Sequence, residues 1–146
     1  MIRRLFSLAL LLAAVAVTSG CATNRSSASL MPGADLSKVK TIYVVKLPND
    51  DRGVGDLIQT NLAKRGYQVG IGTEKKPAQP TDAVVTYFDK WMWDITMYLL
   101  ELTITVNDKT DFPLATGNSF HTSLTRLSPP EMVDEVVNNI VNAKNK

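Results

Sequence analysis

The residues that could carry out chemistry in this chain are few and lie far apart. The 146-residue sequence has one histidine, His121, and one cysteine, Cys21. The segment GNSFH, which ends at His121, lacks the closing glycine of the G-x-S-x-G motif that presents a hydrolase serine. A zinc site needs three or four His, Cys or carboxylate ligands. We therefore predict no catalytic residue, no metal site, no cofactor and no enzymatic activity, and we expect His121 on the surface of a strand.

Two further patterns are too incomplete to indicate a site. The segments 53–55 and 70–72 each hold two glycines of a nucleotide-binding fingerprint, but neither continues to the third glycine. Asp50, Asp51 and Asp56 lack the spacing of a calcium-binding loop. Aspartate is common before and within the first turn of a helix, where it complements the helix dipole. Turns and helix starts explain both patterns.

Cys21 follows a segment with the layout of a secretory signal peptide. Arg3 and Arg4 give a positive start, residues 5–17 are almost entirely apolar, and three small residues precede the cysteine. An apolar run of 13 residues is shorter than the ~20 that a transmembrane helix needs. We therefore predict a cleaved signal peptide over residues 1–20.

The stretch VTSGC resembles the lipobox of bacterial lipoproteins. The resemblance implies that Cys21 is joined to diacylglycerol by a thioether and becomes the first residue of the mature chain. Aspartate after the cysteine often marks retention in the inner membrane, and this chain has Ala22 there. The resemblance thus implies the outer membrane as the location, with the domain facing the periplasm and several acyl chains as a stable anchor. The alternative is an ordinary signal peptide with a chance cysteine.

The charge balance excludes another class of partner. The chain has 16 Lys and Arg residues against 14 Asp and Glu residues. Removal of Arg3 and Arg4 with the signal peptide leaves 14 residues of each sign. Because nucleic-acid binding depends on a basic excess, we predict no nucleic-acid partner.

The segment DKWMWD, residues 89–94, is the least ordinary stretch of the chain. Trp91 and Trp93 are two apart, so on a strand they share one face with Tyr87, while Phe88 and Met92 point the other way. Only one face of a sheet can pack under helices, so one of these sets must be exposed or covered by a loop or a partner. We predict a partner-binding surface at Tyr87, Trp91 and Trp93. The alternative is that a proline-rich loop or a bulge buries them.

The first half of the mature chain predicts a tether and a β-α-β unit. Residues 21–37 are rich in serine and alanine and are expected to join the lipidated cysteine to the domain as a flexible tether. Residues 38–146 are expected to form a single domain, which starts with a strand over 39–47. Apolar residues at helical spacing from Val54 predict a helix, Gly66 suits its end, and residues 67–71 read as a short strand.

The second half predicts a hairpin, a further strand and a helix. Residues 83–93 and 98–106 are expected to pair as a hairpin, and residues 114–127 as one more strand. Ser128 and Glu131 have the spacing of a capping box at the start of the last helix. The order β-α-β-β-β-β-α predicts an α+β fold, a two-layer sandwich in which two helices cover one face of a mixed sheet of four or five strands.

The segments KTIYVVKL, LAKRGYQV and DAVVTYFDKWMWDITMYLLELTITVND, placed behind a lipobox, resemble small envelope lipoproteins. Their fold is like that of the lipopolysaccharide-assembly lipoprotein LptE or the N-terminal domain of TolB. The resemblance covers residues 39–143 and implies a non-catalytic adaptor or accessory subunit of an envelope complex, with an envelope protein as partner. It carries over no functional residue except Cys21. The alternative is a periplasmic carrier of a small or lipid-like ligand, held in a groove lined by aromatic residues.

Overall fold

The computed structural model describes residues 24–143, so the predicted signal peptide and Cys21 lie outside the described residues. These residues form an α+β domain with one sheet and two helices. The strands are β1 (Arg25–Leu30), β2 (Thr41–Val45), β3 (Gln68–Gly72), β4 (Ala83–Asp94), β5 (Thr96–Asn107) and β6 (Pro113–Phe120), and the helices are α1 (Val54–Lys64) and α2 (Pro129–Asn142).

The sheet has the strand order β1-β6-β5-β4-β2-β3. Strand β2 runs parallel to β3 and to β4, and all other neighbours are antiparallel. The sheet is therefore mixed, as predicted, but it has six strands rather than four or five. Helices α1 and α2 contact each other and pack against the sheet, where their apolar residues join one core cluster.

The additional strand lies in the predicted tether. Residues 25–30 form β1, which pairs with β6 along its whole length. Ala28 and Leu30 pack against the core, and Ser26, on the same face of the strand, accepts a hydrogen bond from the Asn139 side chain of α2 at 2.6 Å. The prediction of a flexible tether was wrong for this segment because pairing with β6 outweighs the low strand propensity of serine and alanine.

The β2–α1–β3 unit agrees with the sequence prediction. Val54, Ile58 and Leu62 lie on the buried face of α1. Gly66 follows the helix with φ +94°, the left-handed conformation that glycine adopts without steric cost. The helix thus turns directly into β3, which pairs in parallel with β2.

The β4–β5 hairpin contains a bulge that sequence alternation does not reveal. Lys90 pairs with Glu101, but Trp91 pairs with Leu99, so Leu100 is an extra residue in β5. Both Leu99 and Leu100 are buried as a result. The bulge changes which side chains face the helices near the end of the hairpin.

The last part of the chain differs from the prediction at one point. Strand β6 ends at Phe120 rather than continuing to residue 127, and residues 123–125 form a 3₁₀ turn. Helix α2 begins with the predicted capping box. It lies directly on β6 at Gly117, where a β-carbon would be 2.8 Å from Ile140 and 2.9 Å from Val136.

Candidate binding surface

Five of the eight large apolar side chains that are exposed in the described part of the chain lie at one end of the sheet. Four belong to the β4–β5 hairpin, and the fifth belongs to the 3₁₀ turn beside it. Together they are termed the apolar end, which consists of Met92, Trp93, Ile95, Met97 and Leu124. Trp93 is 68%, Ile95 86% and Leu124 88% exposed. A cluster of exposed hydrocarbon on a packed domain is typical of an interaction surface.

Ile95 forms the apex of the hairpin in an unfavourable backbone conformation. It connects Asp94 of β4 to Thr96 of β5 and has φ +59°. Left-handed backbone is rare for a β-branched residue, and a hairpin turn normally places glycine, asparagine or aspartate there. An apolar residue therefore occupies the most protruding position of the hairpin at a cost in backbone strain.

The 3₁₀ turn braces the hairpin through polar contacts. Ser123 donates a hydrogen bond to the carboxylate of Asp94. Arg126 donates to the Thr96 hydroxyl oxygen at 2.8 Å, and its guanidinium lies 5.6 Å from the centroid of the Tyr98 ring. The protruding hairpin is thus held in place by the segment that carries Leu124.

The first described residue lies at this same end of the molecule. The Thr125 hydroxyl donates a hydrogen bond to the side-chain oxygen of Asn24. Asn24 immediately precedes β1, whose first residue pairs with Phe120. Asn24 therefore lies next to the turn that carries Leu124 and braces the hairpin.

Trp91 precedes the apolar end on β4 and is half-buried. Its indole N–H donates to Asp89 at 2.5 Å, and the guanidinium of Arg52 lies 4.4 Å from its ring centroid. Arg52, Asp89, Trp91 and the loop before α1 line a cleft of about 300 Å³. This cleft is mainly polar, with carboxylates of Asp50 and Asp51 in its wall.

Tyr87 is a core residue that fixes the start of α1. Its ring is 7% exposed. Its hydroxyl accepts a hydrogen bond from the Leu47 amide at 3.2 Å and donates to Asp50 at 3.0 Å. Burial, followed by the hydrogen bond and charge of Asp50, raises the pKa of Tyr87 well above its usual range.

Asp50 completes this arrangement by capping the helix. Its two oxygens accept hydrogen bonds from the amides of Val54 and Gly55, each at 2.8 Å. Burial opposes ionisation of this carboxyl, but the amides and the Tyr87 hydroxyl outweigh it and lower the pKa of Asp50. The aspartate therefore serves the helix start, as its position in the sequence indicated.

The predicted site residues share one face of β4, but they differ in environment. Tyr87, Trp91 and Trp93 pair with Ile104, Leu99 and Met97 respectively, which places all three on the side that faces the helices. Tyr87 is buried, Trp91 is half-buried, and Trp93 is exposed beyond the helices. Of the three, Trp93 is available for contact, and the binding role of the set stays a prediction.

Ile95 and Leu124 were not predicted from the sequence to belong to this surface. An isoleucine between Asp94 and Thr96, at a turn between two strands, was the available signal, because turns rarely carry large apolar side chains. Leu124 could not be recognised, since residues 114–127 were predicted to be one strand.

His121 is buried, which corrects the expectation of a surface residue on a strand. Its Nδ1 lies 3.0 Å from the carbonyl oxygen of Thr125, and its Nε2 lies 3.0 Å from Glu135 Oε2. The ring thus lies between a backbone carbonyl of the bracing turn and a carboxylate of α2. The imidazole therefore ties the bracing turn to α2.

Ser119 joins the same cluster but does not form a nucleophile–base pair with His121. Its hydroxyl is fully buried and donates to Glu135 Oε2 at 2.5 Å, the atom that His121 also contacts. Burial opposes ionisation of Glu135, but the hydrogen bonds from Ser119 and His121 outweigh it and lower its pKa. A serine nucleophile would need to donate to the imidazole instead.

Other features that could bind a ligand or a membrane are limited in the described residues. The most apolar cavity, between Val39, Leu62 and Ile140, has a volume of only about 30 Å³. Within residues 24–143, no three His, Cys, Asp or Glu side chains come together in a way that could hold a metal ion. No helix in this part of the chain is long and apolar enough to cross a membrane.

Comparison by sequence gives no relative: no protein-family model matches the chain, and no curated protein matches it. Comparison by structure finds PelC from Paraburkholderia phytofirmans, solved as a dodecamer in two crystal forms, with TM-scores of 0.57 and 0.58. The two likenesses have 16% and 13% identity and cover 84% and 81% of this chain, and 100% and 98% of PelC. Identity this low shows a shared fold and leaves function open.

Two proteins from Acinetobacter baumannii have weaker structural likeness. TolB has a TM-score of 0.46 at 15% identity, and the likeness covers 81% of this chain and 31% of TolB. A minor lipoprotein has a TM-score of 0.33 at 16% identity over 70% of this chain and 89% of that protein. The fold likeness of the chain therefore rests on PelC.

Proposed function

We propose that this chain is a lipoprotein anchored by acylated Cys21 in the outer membrane, facing the periplasm. It acts without catalysis, as an adaptor or accessory subunit of an envelope complex. The single observation that carries the proposal is the apolar end, which exposes Trp93, Ile95 and Leu124 beside the point where the chain from Cys21 joins the domain.

The polar clusters of the domain have structural uses that fit a binding protein. Asp50 and Tyr87 fix the start of α1, and His121 and Glu135 fix the bracing turn. These side chains hydrogen-bond one another and the backbone, which supports a role for them in holding the fold. The apolar end, by contrast, has large side chains with no structural use inside the domain.

The alternative of a carrier has less support from the geometry. A ligand pocket normally encloses ~300–1,000 Å³ and is largely apolar. The apolar cavity here holds about 30 Å³. The larger clefts, of about 300 Å³ beside Trp91 and about 660 Å³ between α1 and α2, are lined mainly by polar and charged side chains. An exposed protruding surface is better suited to contact than to enclosure.

Self-assembly is one form that the proposed complex could take. PelC, which shares the fold, is a dodecamer in its crystals. The outer strands β1 and β3 of this sheet each have one edge without a neighbouring strand in the described structure, and such edges can pair with another chain.

The proposal is tested by isolation of the acylated protein from envelopes after chemical crosslinking. We expect acyl chains on Cys21 by mass spectrometry and a partner recovered in stoichiometric amount. Trp93→Ala should reduce recovery of that partner, because the apolar end is then altered without loss of a core side chain. Phe112→Ala is the matched control, since Phe112 is exposed in the β5–β6 turn at the other end of the strands.

Three results would contradict the proposal. Unmodified Cys21 would remove the anchor, and recovery of the protein alone would remove the accessory role. Equal loss of the partner in the Trp93→Ala and Phe112→Ala variants would show that the apolar end has no special part in binding. Thermal melting of both variants must show that they remain folded.

A further inference from the structure

We infer that the apolar end inserts into the lipid surface of the membrane that holds Cys21. The inference rests on the proposed anchor, and it names the partner at this end as lipid rather than protein. A protein of the envelope complex then meets the surfaces that this contact turns towards the periplasm. Trp93→Ala therefore reduces recovery of that protein because the domain loses this orientation, and not because a direct contact is removed.

The covalent chain places the apolar end close to the anchor. Asn24 is fixed against Thr125, next to Leu124. Cys21 is three residues earlier, and a fully extended chain advances at most ~3.3–3.6 Å per residue. An acylated Cys21 at the membrane surface therefore holds Asn24 within roughly 11 Å of that surface. Because β1 begins at residue 25, no longer tether separates the domain from the lipid.

The side chains of the apolar end suit the membrane interface. Trp93 belongs to the residue type that is enriched where hydrocarbon meets head groups. Ile95 protrudes at the apex of a hairpin and Leu124 from the adjacent turn, so both can enter a lipid layer without separation of the strands. Met92 and Met97 lie on opposite faces of the hairpin and extend the apolar surface around it.

Two exposed arginines lie beside this surface, where they could bind lipid phosphates. Arg126 is exposed and bridges to Thr96, next to the apex. Arg25 is exposed, follows Asn24 in the chain, and stacks over the Phe120 ring at 5.0 Å. Long basic side chains at a membrane surface keep their charged groups among the head groups while their stems remain in apolar surroundings. The carboxylate of Asp94, which also lies at this end, accepts a hydrogen bond from the Ser123 hydroxyl.

The shape of the apolar end also favours lipid over a protein partner. Its most exposed members protrude from a hairpin apex and a turn, and none of them lines the apolar cavity or the cleft beside Trp91. A protein partner would have to supply a pocket for this protrusion while occupying the gap of about 11 Å or less that the anchor leaves. A fluid lipid layer adapts to the protrusion and is already present.

The test uses the acylated full-length mature protein in vesicles of phosphatidylethanolamine and phosphatidylglycerol, with and without brominated acyl chains. The chain has two tryptophans, so Trp91→Phe leaves Trp93 as the only indole. We expect bromine to reduce Trp93 fluorescence at least about twofold, since the indole lies in the interface. The reciprocal variant, Trp93→Phe, should show weaker quenching of half-buried Trp91.

A reporter at the opposite end provides the matched control. Phe112→Trp, combined with Trp91→Phe and Trp93→Phe, moves the only indole to the β5–β6 turn. Trp93 and Val84 are nine residues apart on β4, which corresponds to ~30 Å, and Val84 pairs with Asn107 beside that turn. We expect no quenching of this reporter by bromine. Thermal melts identify any variant that is not folded. If the Phe112→Trp reporter does not fold, the quenching of Trp91 in the Trp93→Phe variant serves as the comparison for Trp93.

The outcomes separate this inference from the proposed function. Absence of acyl chains on Cys21 would overturn both. An acylated protein that floats with the vesicles but whose Trp93 is not quenched would overturn the inference alone. Trp93 that is shielded from aqueous acrylamide yet unaffected by bromine would also overturn it, because a protein or a second copy would then cover the apolar end.

Discussion

The two hairpin turns of the sheet, at opposite ends of β5, are built in opposite ways. In the β5–β6 turn, one oxygen of Asp108 accepts hydrogen bonds from the Thr110 amide at 2.7 Å and the Phe112 amide at 3.1 Å. Asp111 supplies the left-handed residue, with φ +64°. The β4–β5 turn places Ile95 in a similar conformation and depends on contacts from the distant 3₁₀ turn.

The difference indicates which turn serves the fold and which serves another purpose. The β5–β6 turn follows the local rules, since aspartate accepts backbone hydrogen bonds in turns and tolerates the left-handed region. The β4–β5 turn violates these rules with an exposed, strained isoleucine. Local rules are broken mainly at functional sites, where the cost is offset elsewhere in the structure. The bracing turn and its anchor to α2 supply that compensation here.

Of the substitutions that test the difference between the two turns, Glu135→Ala should lower the stability of the domain most. It removes the acceptor of both Ser119 and His121, and His121 also holds the carbonyl of Thr125 in the bracing turn. Loss of a shared acceptor for buried donors should lower the free energy of unfolding by about 2–3 kcal/mol. Thermal or urea unfolding measures the loss.

The Glu135→Ala variant should also show a local effect. Amide hydrogen exchange should become faster in residues 122–126 and around Ile95, while the β5–β6 turn remains protected. Unchanged exchange at Ile95 would mean that the turn does not brace the hairpin.

Ile95→Gly should raise the free energy of unfolding, and Asp111→Gly in the other turn is the matched control. Glycine adopts the left-handed region freely, so relief of the strain at Ile95 should add about 1–2 kcal/mol to the free energy of unfolding. The same change at Asp111 should have a smaller effect, because aspartate tolerates this conformation. Urea unfolding of both variants gives the comparison. In lipid vesicles, the Ile95→Gly variant should also lose part of the quenching of Trp93. Equal effects of the two changes on stability would show that Ile95 is not strained.

Asp108→Ala should weaken the β5–β6 turn and leave the apolar end unchanged. The variant loses the side-chain acceptor that organises this turn. We expect a lower Tm, with a smaller change than that of Glu135→Ala, and no change in quenching of Trp93 by brominated lipid. A loss of quenching would show that the two ends are coupled through the sheet and are not independent.

The contribution of the Glu135 carboxylate to the free energy of unfolding should disappear at acidic pH. Its folded pKa is lower than the ordinary value of 4.5, so the folded state binds this proton less readily than the unfolded state. The stabilisation is therefore complete above about pH 5 and is lost as the pH falls through the folded pKa. Unfolding of the wild type and of Glu135→Gln, compared from pH 6 to pH 3, measures it. The stability difference between the two proteins should shrink with decreasing pH. A constant difference would contradict this account of the cluster.

The elements that depend on local sequence were predictable. Val54, Ile58 and Leu62 recur at helical spacing, and Ser128 with Glu131 marks a helix start, so both helices were found. The hairpin was also found, because its alternating residues need no knowledge of distant partners. Strand β1 was missed because its serines and alanines become a strand only by pairing with β6, about 90 residues later.

The candidate surface was predicted only in part. The period of two correctly placed Tyr87, Trp91 and Trp93 on one face. It could not show how far the helices extend along that face, and this decides that Tyr87 is buried while Trp93 is exposed. His121 was expected on the surface because its partner Glu135 lies in another element. Leu124 required knowledge of the turn that ends the last strand early. Exposure thus depended on tertiary packing, which periodicity does not report.

The most direct test of the account is site-specific photocrosslinking in intact envelopes. A photo-reactive residue is placed at Ile95 in one protein and at Phe112 in another, and the crosslinked products are identified as lipid or protein by mass. We expect lipid adducts from position 95 and none from position 112. Protein adducts from position 95, or lipid adducts in equal amount from both positions, would contradict the claim that the apolar end faces the membrane.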